Sequence, residues 1–320
     1  MPKVSVIIAV YNVEQYIERC ARSLFEQTLD DIEYIFVNDC TPDNSMAVLN
    51  ATLSDYPHRQ SQVTIINNPE NLKQAGTRTI GMKAATGEYM IHCDPDDFVD
   101  ADMYETMYRK AVETDADVVT CGIRRHTESG CNNEQIIFCE NGKASLKAMQ
   151  FSFALYDKLI RSAIIRDNKI YPYEGINFSE DLNVTVRVLY HADKVVTMTN
   201  YYPYHYNRSN LSAISRTDEL VLFNQHYKPC VNRISDYLQQ TGDNGFTITC
   251  NYLKFYAKRF LLNKNQTRQW CETWAESHAD IDKYPFPERY KKRMAWMAKH
   301  PLILAIYNIY FLMRYKAHNI

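Results

Sequence analysis

The chain has 320 residues and an apolar fraction of 46%, enough for one large domain or a core domain with an appendage. Its formal charge of -2 excludes the uniformly basic balance of a nucleic-acid binder. Nine cysteines, odd in number and without any Cys-x-x-Cys pair, exclude a disulfide framework and a structural zinc site, so a reducing, cytoplasmic setting is the simplest reading.

Residues 1–3 lead directly into an apolar run with no secretory leader. Residues 4–10 are nearly continuous Val and Ile, the pattern of a strand buried on both faces in a parallel sheet. A helix should follow, capped by Asn12 with Gln15 closing the box, and with Val13, Ile17, Cys20, Ala21 and Leu24 on one stripe. A second strand is expected at 34–37. The turn and cap cluster at 39–43 follows it, then a helix with Met46, Leu49 and Leu53 inward. A third strand at 63–66 leads to a helix at about 74–85 that ends at Thr86 and Gly87. A fourth strand at 89–93 empties into an acidic turn. Asp100 can cap the next helix, whose Met103, Met107 and Ala111 share a face, and 117–121 reads as a fifth strand.

Strand and helix alternating at this pitch predict an α/β fold, a mostly parallel sheet with helices on both faces. The turns after each strand then share one edge, so Tyr11 and Asn12, Asn38 and Asp39, and the acidic turn converge where open sheets bind ligands. Ala9, Val10, Tyr11 and Asn12 occupy the first turn, where a dinucleotide fingerprint would place glycines.

The acidic turn carries Asp94, Asp96 and Asp97 directly after a strand. Carboxylates are hard ligands suited to Mn²⁺ or Mg²⁺, and such an ion would neutralise a nucleotide diphosphate held at the sheet edge. Asp and Pro are equally ordinary turn and helix-start residues. Ser179, Glu180 and Asp181 open another helix. There Ser179 is a good cap, and both acids favour the positive end of the helix dipole by about 0.3–1 kcal/mol.

Five blocks in order resemble family 2 glycosyltransferases, the inverting enzymes with the GT-A (Rossmann-like) fold, of the bacterial surface-polysaccharide type. They are residues 4–12, the run from Val37 through Asp39 to Ser45, Arg78 to Gly81 with Ala85 to Gly87, Asp94 to Asp97, and Phe178 to Asp181 with the helical stretch beyond. The resemblance covers about 2–215. It implies a glycosyltransferase catalytic domain at 1–215, with a nucleotide-binding half at about 1–122 and an acceptor half at about 123–215. A helical C-terminal region follows at 216–320.

The resemblance also implies roles. Ala9, Tyr11, Asn12 and Asp39 wall the nucleoside site, with Tyr11 packing on the base and Asp39 accepting from it. Arg78 faces the base or the diphosphate. Asp94 and Asp96 take the nucleotide and metal positions, with Asp96 as the preferred direct ligand of Mn²⁺ or Mg²⁺. Asp97 binds donor-sugar hydroxyls or caps the following loop. Asp181 is the base that activates the acceptor hydroxyl from the face opposite the phosphate, and Glu180 orients the acceptor. His205 is a candidate for touching the metal or the phosphates, against the plainer reading of a structural histidine. Departures from the family pattern, with Asn38 for the first of two acids, Cys40 and Lys73 for Gly, and Thr79 for Asn, bear on donor preference.

Residues 124–142 are polar and read as an insertion near the acceptor, with Gly130 and the pair Asn132 and Asn133 as turns. Tyr156, Tyr171 and Tyr173 offer rings to sugar faces. From Thr217 the chain reads as helices. Leu220, Phe223, Tyr227, Ile234 and Leu238 form one stripe, and Leu253, Tyr256, Ala257, Phe260 and Leu261 another. After Phe286 cations outnumber acids, and an apolar run at 301–313 is too short for the roughly 20 residues of a spanning helix. With Trp296, Tyr307, Tyr310 and Phe311, this end suits a helix lying peripherally on an anionic membrane surface, a helix docked on the catalytic domain, or a homodimer contact. The expected partners are a nucleotide-sugar donor, a UDP-sugar, and a glycan or lipid-linked saccharide acceptor, without nucleic acid. The rival readings are a sugar-phosphate nucleotidyltransferase and a non-catalytic nucleotide-sugar-binding or assembly subunit.

Overall fold

The computed structural model describes residues 1–127, 130–207, 218–264 and 266–300. They form two compact units: Met1–Leu146 with Gln150–Arg216, and Lys147–Met149 with Thr217–Ile320.

The first unit is built on a seven-stranded sheet. Its strands are β1 (Val4–Val10), β2 (Ile32–Asn38), β3 (Val63–Asn67), β4 (Tyr89–His92), β6 (Val118–Thr120), β9 (Lys158–Arg161) and β10 (Val195–Thr197), in the order β10-β6-β9-β4-β1-β2-β3. All neighbours pair in parallel except β9, which runs antiparallel to both β4 and β6. The sheet is therefore mostly parallel, as expected, with β9 as its antiparallel member. Its Lys158 is fully buried, with Nζ donating to Asp157 Oδ1 at 2.6 Å and the Ala154 carbonyl at 2.6 Å, so an apolar-run reading passes over it.

Both faces of β1 are covered. Val4, Val6, Ile8 and Val10 belong to a core with α1 (Ile17–Phe25) and α4 (Met103–Thr114), to which Ile17, Leu24, Phe25, Met103 and Met107 contribute. Each such buried side chain stabilises the fold by about 1.5–3 kcal/mol. The opposite face carries Ile7, against which α3 (Lys73–Ala84) packs so closely that a Cβ on Gly81 would lie 2.4 Å from Ile7 Cγ2. Between these elements, α2 (Ser45–Ser54) follows β2.

A second sheet, in the order β5-β11-β7-β8, joins β5 (Phe98–Val99), β11 (Tyr204–Asn207), β7 (Ile123–Thr127) and β8 (Gly130–Glu134). Asn132 and Asn133 thus lie in a strand rather than a turn, paired with Arg125 and Arg124. Exposed along its whole length, β8 has no burial pattern by which it could be read. Two short helices, α5 (Gly142–Ala148) and α6 (Ser162–Asp167), precede α7 (Glu180–His191).

Three expected caps are absent. α1 begins at Ile17, while Asn12, at φ 55°, donates its backbone N–H to Thr41 Oγ1 at 2.8 Å. Asp100 lies before the cap residue of α4 and turns its carboxylate to His205 Nε2 at 2.8 Å. Ser179 adopts left-handed backbone at φ 67° and its hydroxyl donates to the Phe178 carbonyl instead of capping α7. Asp100 and Ser179 thus spend their side chains on competing partners, while Asn12 is held by its backbone N–H.

The described part of the second unit is helical, with α8 (Glu219–Leu222), α9 (Lys228–Gln240), α10 (Thr247–Ala257), α11 (Arg259–Asn263), α12 (Thr267–Glu272) and α13 (Glu288–Lys299). Phe223, Tyr227, Ile234 and Leu238 are buried, as are Leu253, Ala257, Phe260 and Leu261. No helix among the described residues is long and apolar enough to cross a membrane. The run at 301–313, with Tyr307, Tyr310 and Phe311, lies outside the described residues.

Candidate active site

Parallel pairing brings the carboxyl ends of β1, β2 and β4 to one edge. The Asp39 N–H donates to the Val10 carbonyl at 3.0 Å, and the Cys93 N–H to that of Ile7 at 3.0 Å. At the β1 end Ala9 is half-buried, while Tyr11 is exposed. Asp39 is buried at the β2 end, and its Oδ1 accepts from Asn68 Nδ2 at 2.9 Å and from the Leu72 N–H at 2.7 Å. Its Oδ2 takes no bond from a described residue, so one acceptor remains for a ligand N–H.

Arg78 organises the site. It lies on the buried face of α3, one turn from Gly81, and its side chain is only 6% exposed. Nη2 donates to Asp94 Oδ1 at 2.7 Å and Nη1 to Glu180 Oε1 at 2.6 Å. One guanidinium thus joins the turn after β4 to the first residue of α7. Burial pushes the Glu180 carboxyl up to about 8, opposed by Arg78 and assisted by the neighbouring Asp181. Asp181 is also raised, first by burial, with Arg78 opposing. Its Oδ1 accepts the Leu182 N–H at 2.8 Å, and Oδ2 has no bond to a described residue. One cation thus faces three carboxyl groups, two of them raised by burial, held where water is scarce.

The acidic turn is buttressed from β11. Tyr204 is fully buried and stacked on Tyr156, with ring centroids 4.3 Å apart and planes 9° apart. Its hydroxyl donates to Asp97 Oδ2 at 2.7 Å and accepts the Asp94 N–H at 3.1 Å. Asp97 Oδ1 accepts the Asn207 N–H at 2.7 Å. Asp97 is buried with both oxygens engaged, and burial with Asp96 and Asp94 nearby holds its carboxyl well above the usual range. Asp96 is half-buried, and its carbonyl accepts from Arg19 Nη2 at 3.1 Å.

His205 is not brought to these carboxylates. Its ring nitrogens face Asp100 Oδ1 and His126 Nε2, both at 2.8 Å, and its ring stacks on Phe98. Alternation along β11 is the reason, because Tyr204 points to the acidic turn and His205 to the other face. Tyr204 escaped the sequence reading although the same alternation could have revealed it, and Asn207 reaches Asp97 through its backbone N–H, which no side-chain pattern marks. No three His, Cys, Asp or Glu side chains among the described residues form a closed metal cage. A cation here would rest on Asp94 and Asp96 and draw its remaining ligands from diphosphate and water, which is a usual arrangement for Mg²⁺. A cleft of about 570 Å³ flanked by Arg19, Arg22, Phe98 and Asp100 lies along α1 and includes none of the acidic-turn or α7 carboxylates.

Residues 5–165 match the family model "Glycosyl transferase family 2". The chain belongs to this family. Uncharacterized glycosyltransferase EpsJ of Bacillus subtilis is 30% identical over 225 residues, 67% of this chain and 64% of that protein, so the chain spans less than two thirds of that relative's length. Among solved structures, S. aureus TarS 1-349 in complex with UDP-GlcNAc superposes with a TM-score of 0.68 at 18% identity, covering 96% of this chain and 89% of that one. Mannosyltransferase PcManGT from Pyrobaculum calidifontis, in complex with GDP-Man and Mn2+, gives 0.56 at 12% identity over 96% and 87%. At these identities the likeness concerns the fold, which this family 2 chain shares with both.

Proposed function

We propose that this chain transfers a sugar, with inversion, from a nucleotide-sugar donor to a hydroxyl of a glycan or lipid-linked acceptor in cell-surface polysaccharide synthesis. The observation that carries the proposal is the Asp94–Arg78–Glu180 bridge, which links the carboxyl edge of the sheet to the start of α7, where Asp181 has an oxygen to spare. Tyr11 and Asp39 receive the nucleoside, Asp181 takes the proton of the acceptor hydroxyl as it attacks, and Glu180 helps seat the acceptor. A UDP-sugar is the preferred donor, a choice supported by the UDP-GlcNAc complex of the TarS neighbour.

Metal dependence follows from charge. Arg78 is already engaged by Asp94 and Glu180, so a diphosphate brought against Asp94 and Asp96 would meet charge of its own sign. A divalent cation on Asp94 and Asp96 removes that repulsion and, when bound, stabilises negative charge on the leaving phosphate. The Mn2+ complex of PcManGT supports this reading. A screen of UDP-, GDP- and CDP-sugars scored by nucleotide release tests the proposal: turnover of one donor class that Asp181→Asn abolishes supports it, and no release from any donor overturns it.

A further inference from the structure

The side chains that hold His205 away from the acidic turn form a cluster of their own. Cys131 on β8 is exposed and directly opposes His126 on β7, with Sγ 3.1 Å from His126 Nδ1. His126 Nε2 lies 2.8 Å from His205 Nδ1, and His205 Nε2 lies 2.8 Å from Asp100 Oδ1. The rings of Phe98, His126 and His205 pack together, with centroids 4.3–5.4 Å apart, which fixes the orientation of both imidazoles. Arg19 covers Phe98 at 4.4 Å.

The order of these contacts dictates where the protons sit. The Asp100 carboxylate accepts, so His205 carries its proton on Nε2 and presents Nδ1 as an acceptor. His126 then donates from Nε2, which leaves its Nδ1 as an acceptor facing the one remaining donor, the Cys131 thiol. Burial, His205 and the cations Arg19 and Arg124 hold His126 below the usual imidazole range, consistent with a neutral ring able to accept. All three hydrogen bonds point the same way, from sulfur to carboxylate. This is the nucleophile, base and orienting group of an activated thiol, with a second imidazole in the line.

We infer that Cys131 is a nucleophilic thiol that undergoes exchange with small disulfides, its proton taken up by the His126–His205–Asp100 line. Cys131 sulfur attacks one sulfur of the disulfide, a new S–S bond joins them, and the other sulfur leaves as a thiolate. The thiol proton passes to His126 Nδ1 and returns to that thiolate, so neither a net oxidant nor a reductant is needed. The chemistry is separate from sugar transfer, and His205, which the acidic turn does not engage, here orients the base.

Oxidised glutathione is the probe, applied to the full chain at neutral pH with adducts located by peptide mass spectrometry. Cys40, the other exposed cysteine, donates to the Asn68 carbonyl and has no imidazole partner, so it serves as the internal reference. The mixed disulfide should form at Cys131 about tenfold faster than at Cys40, His126→Asn should bring Cys131 to the Cys40 rate, and Asp100→Asn should fall between. Equal or slower reaction of Cys131 in the unsubstituted chain overturns the inference whether or not the variants fold. So does a His126→Asn protein of unchanged melting temperature that reacts as fast as the parent.

Discussion

Replacing Arg78 with Met keeps the apolar stem and deletes the one cation that serves both Asp94 and Glu180. The side chains of Arg78 and Glu180 are 6% and 8% exposed, so water cannot take over the role of the guanidinium. Removing one member of a buried ion pair costs about 3–5 kcal/mol because the other charge stays behind. At about 2–4 °C per kcal/mol for a unit of this size, the melting temperature should fall on the order of 10 °C. The loss should depend on pH with a definite sign. Burial already raises the Glu180 carboxyl above its ordinary value, and Arg78 is what opposes the rise. Even beside Arg78 the folded chain binds a proton at Glu180 more tightly than the unfolded chain does, so both proteins lose stability as pH rises from the ordinary carboxylate range to about 8, and without Arg78 the loss continues to higher pH. Thermal melts of parent and Arg78→Met should therefore keep a constant separation below the parent's folded value of about 8 and diverge above it, where Glu180 ionises beside Arg78 in the parent but stays protonated in the variant. Adding Glu180→Gln should recover part of the difference, which gives the coupling energy directly. A deficit that does not grow above about pH 8, or that stays below about 1 kcal/mol there, refutes the claim that Arg78 compensates buried charge.

Asp181→Asn should lower kcat by at least about 10²-fold while UDP affinity, read by calorimetry, changes little; retained turnover would place the base elsewhere. Since the rate needs Asp181 ionised and its carboxyl is raised by burial, kcat/KM should climb with pH through a limb above the ordinary Asp range, and a profile falling with pH over that interval contradicts the role. Calorimetric titration of UDP, GDP and CDP with and without Mn²⁺ should show one nucleotide strengthened by metal, an enhancement lost in Asp96→Asn; indifference to metal removes the cation from the site. Tyr204→Phe leaves Asp97 Oδ2 and the Asp94 N–H without their partner, at about 1–3 kcal/mol for each group left unpaired, so unchanged melting would show that the hydroxyl does not hold the turn.

The parts of the fold that were legible in the sequence are those in which burial writes a pattern. β1 is buried almost throughout, so Val and Ile fill it, and the stripe from Ile17 to Leu24 follows from one face of α1 meeting that strand. β9 and β8 left no such trace. The first sits in the middle of the sheet with Lys158 satisfied by polar partners, and the second is a polar edge strand. The caps failed for a related reason. Asn12 and Ser179 are good capping types, but both adopt positive φ and bond elsewhere, a choice made by partners remote in sequence or by the local turn.

The candidate site divides along the same line. Asp94, Asp96, Glu180 and Asp181 stand out because acids after a strand or at a helix start are local features. Their relation to one another is not local. Arg78 lies 16 positions from Asp94 and 102 from Glu180, and only the packing of α3 on the sheet, with Gly81 admitting Ile7, carries its guanidinium between them. The family resemblance likewise made His205 a candidate for the metal or the phosphates. A strand, however, sends neighbours to opposite faces. Tyr204 and His205 therefore serve different clusters, one steadying the acidic turn and the other orienting an imidazole line that ends at Cys131.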